Sequence, residues 1–233
     1  MIIAASGVGT RLGARRPKAF LELEGVTLLT RSMAAFLAHP GIGPVVAAVP
    51  DPSVAAGLLP PLGARVRLVR GGPERQDSVR LALAALGEVD LILVHDAARP
   101  LVSRTVIDAV IAAAAEHGAA VPAIPIPDTV KRVDGHGRLI GTVPRDDLVL
   151  AQTPQGFRAD LLRRAHAEAE RNGVAGTDDA ALVERLGHGV VVVPGDPRNI
   201  KITAPGDLEL ARVLLGAGDP LRVGQREPED SNG

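Results

Sequence analysis

Charged residues follow a strand-like apolar run in the middle of the chain. The segment His-Asp-Ala-Ala-Arg-Pro, residues 95–100, comes directly after the apolar residues 91–94, which are typical of a buried β-strand. Ligands of open α/β sheets bind beyond the carboxyl ends of such strands, and a carboxylate there can hold Mg²⁺ together with phosphate oxygens. Asp96 is therefore a candidate metal ligand, whereas His95 has no second histidine at metal-ligand spacing and is interpreted as structural. The alternative is an ordinary turn before a helix that Ser103 caps.

A glycine-rich segment near the N-terminus is a candidate phosphate-binding loop. Residues 4–18 read AASGVGTRLGARRPK and include the cations Arg11 and Lys18. Glycines let a backbone approach a phosphate closely, and successive amides form an anion-binding concavity. The spacing fits neither the dinucleotide-binding fingerprint, whose third glycine is replaced by Leu12, nor a Walker loop. Cations within the loop indicate that the phosphates of a bound nucleotide take part in a reaction, rather than that the nucleotide is only bound. The alternative interpretation is a flexible glycine-rich turn with solvated charges.

Further polar motifs follow in the chain. In GGPERQDSV, residues 71–79, Ser78 could bind a base edge, although helix initiation by Pro73 and Glu74 is the simpler interpretation. Shorter motifs are DTVK (128–131), AQTPQGF (151–157), TDDA (177–180) and NIKIT (199–203). Taken alone, Thr177 is a candidate N-cap and Thr153 begins a turn.

Lysine is rare in this chain. Of 26 basic residues only Lys18, Lys131 and Lys201 are lysines. Each lies in one of the motifs above, so the three positions are interpreted as sites that need a compact charge rather than a planar guanidinium. The alternative is that they are chance survivors of a compositional drift.

The elements that would position these residues alternate along the chain. Predicted strands are 2–5, 45–49, 66–69, 91–95, 120–124 and 190–193, and predicted helices lie near 27–38, 74–86, 103–117, 158–171, 178–187 and 205–215. Continuous hydrophobicity in several strands predicts a mostly parallel sheet that is covered on both faces. The order of the elements predicts a three-layer α/β domain.

One region breaks this alternation. Residues 128–150 contain short β-type segments around the turn 134–137 and no helical pattern, which predicts a projecting hairpin arm. We therefore predict a single domain over residues 1–215 with this arm, followed by a polar, disordered tail over residues 216–233.

Composition excludes several classes of protein. The 233 residues are 46% hydrophobic and 23% charged, as in a soluble globular protein, with no run long enough for a membrane span. The chain has no cysteine, which excludes disulfides and thiolate zinc sites. A net charge of −1 and only three aromatic residues argue against binding to nucleic acid. The absence of a leader segment favours a cytoplasmic location.

Together, and in this order, the motifs resemble those of the 2-C-methyl-D-erythritol 4-phosphate cytidylyltransferases of the non-mevalonate isoprenoid pathway. The resemblance covers residues 2 to 215 and rests on A-S-G-x-G-x-R with P-K, G-G-x-x-R-x-D-S-V, H-D-A-A-R-P, D-T-V-K, Q-T-P-Q, T-D-D-A and N-x-K-I-T. Two features depart from the family pattern: Ser6 stands where alanine is usual, and the first strand begins almost at Met1. The resemblance implies a Rossmann-like nucleotidyltransferase fold with a twisted sheet, and a homodimer joined through the arm.

The resemblance also implies a reaction. Such enzymes transfer CMP from CTP to the phosphate of methylerythritol phosphate and release pyrophosphate, with Mg²⁺ or another divalent cation as cofactor. A phosphate monoester has a second pKa of about 6 and needs no general base at neutral pH, so positioning and electrostatics are the main sources of catalysis. The alternatives are a ribitol 5-phosphate cytidylyltransferase and a nucleotide-binding regulator without turnover.

The family's site residues map onto this chain in three groups. The catalytic cations would be Arg11, Lys18 and Lys201. The nucleotide would contact Ala5, Ser6, Gly7, Gly9, Gly72, Arg75, Ser78, Asp96 and Ala97, with Asp96 as the metal ligand. The acceptor would contact Arg99, Thr129, Arg145, Thr153, Thr177 and Lys201, with Thr129 and Arg145 reaching across from the other subunit.

Overall fold

The computed structural model describes residues 1–7 and 17–216. Its strands are β1 (Ile2–Ala4), β2 (Glu22–Leu23), β3 (Val26–Thr27), β4 (Val45–Val49), β5 (Val66–Arg70), β6 (Leu91–Asp96), β7 (Ala119–Pro125), β8 (Val130–Val133), β9 (Leu139–Val143), β10 (Val149–Ala151), β11 (Gln155–Arg158) and β12 (Val191–Pro194). Its helices are α1 (Leu28–Leu37), α2 (Pro52–Leu58), α3 (Arg75–Ala85), α4 (Arg104–His117), α5 (Ala159–Arg171), α6 (Asp179–Arg185) and α7 (Pro205–Leu215), and Lys18–Phe20 form a 3₁₀ turn. The predicted site residues Gly9 and Arg11, and the predicted tail from residue 217, lie outside the described residues.

Eight of these strands form one mixed sheet in the order β10-β7-β11-β6-β1-β4-β5, with β12 also paired to β7. The pairs β5-β4, β4-β1, β1-β6 and β12-β7 are parallel, whereas β11 and β10 pair antiparallel to their neighbours. The prediction of a mostly parallel sheet is therefore confirmed.

The two faces of the sheet bury separate apolar clusters, because successive side chains of a strand point to opposite sides. Ile3 packs with Phe36 of α1 and Ile107 of α4 on one face. Ile2 packs with Val79 of α3 and Leu162 of α5 on the other face. This arrangement confirms the predicted three-layer α/β architecture.

Some elements escaped the sequence prediction. Strand β11 lies antiparallel between β6 and β7, directly after a segment that was interpreted only as a turn. Its four residues include a glycine and two polar residues, so its strand conformation depends on the two neighbours that hydrogen-bond to it. Helix α2 was also missed, although Asp51 caps it by accepting hydrogen bonds from the amides of Ser53 and Val54.

The predicted arm contains an antiparallel hairpin of β8 and β9. Its turn is held by Asp134, whose carboxylate accepts hydrogen bonds from the amides of His136 and Arg138. Val149 and Leu150, which the prediction included in the arm, pair with β7 in the main sheet. Within residues 1–7 and 17–216, no helix is both long and apolar enough to cross a membrane.

Candidate active site

A cavity opens beyond the carboxyl ends of β1 and β6, the position at which ligands bind to sheets of this kind. Its lining consists of Ala4, Ala5, Ser6, Gly7, Lys18, Ala19, Pro73, Arg75, Asp96, Ala97, Ala98 and Lys201. The cavity thus brings together residues of the glycine-rich segment, the GGPERQDSV motif, the HDAARP motif and the NIKIT motif.

Backbone hydrogen bonds hold the segments around this cavity. Ala4 is in register with Asp96 across β1 and β6, and the amide of Ala97 donates to the carbonyl of Ala4 at 3.0 Å. The amide of Ile202 donates to the carbonyl of Ala98 at 2.8 Å, and the Ile202 side chain is fully buried. Lys201, which was expected in a β-type segment, lies in an irregular one that these contacts attach to the end of β6.

The Asp96 carboxylate carries a negative charge between two cations. Its Oδ1 accepts a hydrogen bond from Arg75 Nε at 2.8 Å, and its Oδ2 lies 2.6 Å from Lys201 Nζ. Burial raises the pKa of Asp96, but attraction to Arg75 and Lys201 outweighs burial and holds this pKa well below its usual range. Asp96 is therefore ionised at neutral pH and faces the cavity.

A second buried carboxylate lies behind Arg75. Asp179 at the start of α6 accepts a hydrogen bond from Arg75 Nη1 at 2.7 Å and pairs with His166 Nε2 at 2.9 Å. Burial raises the pKa of Asp179, but attraction to Arg75 and the contact with His166 together outweigh burial and hold this pKa below its usual value. Burial lowers the pKa of the Arg75 guanidinium, and the two carboxylates raise it above its usual value. No role was predicted for Asp179 or His166.

Thr153 contacts the backbone of Asp96, and His95 in turn contacts Thr153. The amide of Asp96 donates to Thr153 Oγ1 at 3.1 Å, and Thr153 Oγ1 lies 3.0 Å from His95 Nδ1. His95 Nε2 lies 3.0 Å from the carbonyl of Arg99, so this nitrogen carries the proton and Nδ1 accepts from the threonine hydroxyl. Burial lowers the pKa of His95 from 6.5 to about 4. A neutral, structural His95 agrees with the sequence interpretation.

A contact between two serines joins the segment after β1, which contains Ser6, to the first turn of α3, which contains Ser78. Ser6 Oγ lies 2.5 Å from Ser78 Oγ, and the Ser78 hydroxyl also accepts from the amide of Gly72 and donates to the carbonyl of Glu74. Ser78 is fully buried. A Cβ at Gly71 would lie 2.5 Å from the Cβ of Ser6, so only glycine fits where the two segments meet.

Comparisons with known proteins agree with this geometry. The family model described as "IspD: 2-C-methyl-D-erythritol 4-phosphate cytidylyltransferase" matches residues 1–217. The chain belongs to this family. Its fold is that of the nucleotidyltransferases, and it is a cytidylyltransferase that uses CTP to form 4-diphosphocytidyl-2-C-methyl-D-erythritol.

Individual relatives are similar over nearly their whole length. The 2-C-methyl-D-erythritol 4-phosphate cytidylyltransferase of Acidobacterium capsulatum is 47% identical over 92% of this chain and 96% of its own. That of Deinococcus radiodurans is 49% identical over 94% of this chain and 90% of its own. The crystal structure of the Thermus thermophilus enzyme has a TM-score of 0.77 at 44% identity and covers 91% of this chain and 96% of that one.

Several residues that the family resemblance assigned to the acceptor do not line the cavity within the described part of the chain. Arg99 Nη1 donates to the carbonyl of Asn199 at 2.7 Å, and its Nη2 donates to that of Ala151 at 3.3 Å. Thr129 and Arg145 lie at the foot of the hairpin, where Arg145 Nη1 donates to the carbonyl of Pro127. These contacts attach Arg99 and Arg145 to neighbouring backbone.

Thr177 directly precedes the turn that begins α6. The interpretation of Thr177 as the N-cap is wrong, because Asp178 occupies that position and accepts a hydrogen bond from the amide of Ala181 at 2.9 Å. Two adjacent residues with good capping side chains left the sequence without a means to choose between them. Gln155 also contacts this cap, since its Nε2 donates to the second carboxylate oxygen of Asp178 at 2.7 Å.

Proposed function

We propose that CTP and methylerythritol phosphate react in the Asp96 cavity, with Lys18 and Lys201 directed toward the phosphates. One observation carries the proposal: Arg75 and Lys201 both contact the ionised Asp96 carboxylate at the ends of β1 and β6, and Lys18 lines the same cavity. Cations that border one cavity attract a polyanionic ligand. A triphosphate and a phosphate monoester together are such a ligand.

The reaction proposed here needs charge neutralisation more than proton transfer. An oxygen of the acceptor phosphate attacks the α-phosphorus of CTP, and the bond from that phosphorus to the bridging oxygen of the β-phosphate breaks to release pyrophosphate. Lys18 and Lys201 would stabilise the negative charge as the two polyanions approach. Arg11 would act with them, on the basis of the family resemblance.

Asp96 fits a divalent cation. Within residues 1–7 and 17–216, no group of three or more histidine, cysteine, aspartate or glutamate side chains could hold a metal ion. Mg²⁺ in nucleotide enzymes is commonly bound by one or two carboxylates together with substrate phosphates. We therefore propose that Asp96 holds Mg²⁺, which would neutralise part of the triphosphate charge.

The nucleoside part of CTP would lie on backbone rather than on charged side chains. We place the cytosine against the backbone of residues 5–7 and Gly72, and the ribose against Ala97. The Ser78 hydroxyl already contacts Ser6, Gly72 and Glu74. Its proposed role is to hold the base-binding backbone, and the Arg75 guanidinium would hold Asp96.

A homodimer would complete the acceptor site. Val133, Leu139 and Ile140 of the hairpin are each more than half exposed, at 55%, 68% and 58%, and a lone two-stranded hairpin is marginal in water. We propose that this hairpin packs on a second copy of the chain and supplies Thr129 and Arg145 to the partner's site, where Arg99, Thr153 and Thr177 would support the acceptor.

A cytoplasmic location is proposed because both substrates are charged metabolites that do not cross membranes unaided.

A pyrophosphate-release assay tests the function. We expect release from CTP that requires both a divalent cation and methylerythritol phosphate. Equal or faster release with ribitol 5-phosphate would assign the acceptor to the alternative enzyme. Binding of CTP without release with either acceptor would instead indicate a regulator.

A further inference from the structure

Four elements meet in a chain of hydrogen bonds and ion pairs behind the cavity. His166 Nε2 lies 2.9 Å from Asp179 Oδ1, Arg75 Nη1 lies 2.7 Å from Asp179 Oδ2, and Arg75 Nε lies 2.8 Å from Asp96 Oδ1. These residues come from α5, α6, α3 and the end of β6. Asp179 and His166 are only 1% and 2% exposed, and neither lines the cavity within the described part of the chain.

We propose that Asp179 is a positioning residue, which holds the Arg75 guanidinium and through it orients the Asp96 carboxylate. The inference rests on the proposed function, in which Asp96 serves the nucleotide and its cation. Asp179 itself touches no substrate in this arrangement. It acts only through Arg75.

The physical reason is that a guanidinium beside a phosphate site would otherwise turn toward the phosphates. Arg75 has a planar group with several donors in a fixed geometry, and its side chain is 27% exposed. With Nε on Asp96 and Nη1 on Asp179, this group is held at two points. Arg75 therefore stays on Asp96 Oδ1 while a triphosphate enters the cavity.

A buried ion pair is weak evidence for a stabilising role. Removing two charges from water costs free energy that their attraction often fails to offset, and apolar residues of similar volume are commonly as stabilising. The contact of Asp179 with Arg75 therefore need not raise the free energy of unfolding, but Asp179 is well placed to fix the Arg75 side chain, which borders the cavity.

The test is a double-mutant cycle on Asp179 and Arg75. For Asp179→Asn we expect a loss of about 10- to 100-fold in kcat/KM for CTP, the range seen when a group that orients a ligand-binding residue is removed. Calorimetric titration with CTP and Mg²⁺, without acceptor, should show weaker binding as well. In an Arg75→Gln background, adding Asp179→Asn should change kcat/KM by less than about twofold, because the residue through which Asp179 acts is gone. Losses that multiply would overturn the inference.

The design separates folding and function from positioning. If Asp179→Asn alone fails to fold because Arg75 is left with less neutralising charge, the double variant lacks both charges and still permits comparison with Arg75→Gln. Asp108→Asn removes the carboxylate of another His–Asp pair, in which His39 Nε2 lies 2.7 Å from Asp108 Oδ1, and should leave kcat/KM within about twofold. An inactive wild-type enzyme would refute the proposed function, whereas an active wild type with an equally active Asp179→Asn variant would refute only this inference.

Discussion

Lys201 Nζ lies 2.6 Å from Asp96 Oδ2, the oxygen that Arg75 Nε does not contact. The Lys201 side chain is 42% exposed, and partly exposed ion pairs of this kind contribute little to stability. The Arg75 contact is buttressed by Asp179. Of the two cations on Asp96, Lys201 is therefore the one that can exchange its carboxylate for a phosphate.

This relationship leads to the first prediction. Lys18→Ala and Lys201→Ala should each lower kcat by about 10²- to 10³-fold, the scale for one preorganised electrostatic group, while weakening CTP binding less. Lys18→Arg should also be impaired because a planar guanidinium has a different geometry. Steady-state kinetics together with a CTP dissociation constant measures both effects.

A surface cation supplies the control for these variants. Arg171 Nη2 lies 2.6 Å from Glu168 Oε2 near the end of α5, and Arg171→Ala should change kcat by less than about twofold. A Lys18→Arg enzyme with nearly normal kcat would contradict the interpretation that the rare lysines mark sites for a compact charge.

The second prediction concerns the shared acceptor site. When Arg145→Ala and Lys201→Ala chains are denatured together and refolded, about half of the dimers should be mixed. If Arg145 acts in the partner's site, each mixed dimer has one site with both residues intact, and total activity should return to about a quarter of wild type. No recovery, in a sample whose mixed dimers are verified by mass, would show that Arg145 serves its own chain or no site at all.

The third prediction concerns stability in acid. The pKa of His95 is lowered from 6.5 to about 4 by burial, so between these pH values the unfolded chain binds a proton that the folded protein does not. The free energy of unfolding should therefore rise with pH across this window and fall as the solution is acidified. In His95→Gln, the slope should be smaller by up to about 1.4 kcal/mol per pH unit. Urea unfolding at several pH values measures it, and equal slopes in both proteins would mean that folded His95 accepts the proton.

The fourth prediction concerns the place where Gly71 packs against Ser6. Gly71→Ala would place a Cβ 2.5 Å from Ser6 Cβ and 2.9 Å from Ser78 Oγ, so we expect a loss of about 1–3 kcal/mol in stability and a higher KM for CTP. Adding Ser6→Gly should restore part of both. The control is Gly43→Ala, whose Cβ would meet no atom within 4 Å. Unchanged thermal unfolding and KM in Gly71→Ala would show that the junction yields easily.

Local signals in the sequence were sufficient for the main strands and for the place of the cavity. Apolar runs such as the one before Asp96 form buried strands because their side chains leave water on folding. Ser103 caps α4 as predicted and accepts a hydrogen bond from the amide of Val106. Glycines and charged residues that follow such strands collect at one edge of a parallel sheet. The sequence alone therefore determined the layered α/β architecture, and it grouped Ser6, Lys18 and Asp96 at one edge of the sheet.

Only the tertiary structure decided how distant residues pair. Strand β11 exists because β6 and β7 present free edges on both sides of Gln155–Arg158, and its short polar sequence has no strand pattern of its own. Likewise, Asp179 lies in the TDDA motif and His166 in a predicted helix, but their contact with each other and that of Asp179 with Arg75 depend on α5 and α6 meeting the start of α3. Such contacts join segments that are far apart in the sequence, and no local pattern of residues indicates that these segments meet. The three-dimensional packing alone makes Arg75 the link between Asp179 and Asp96.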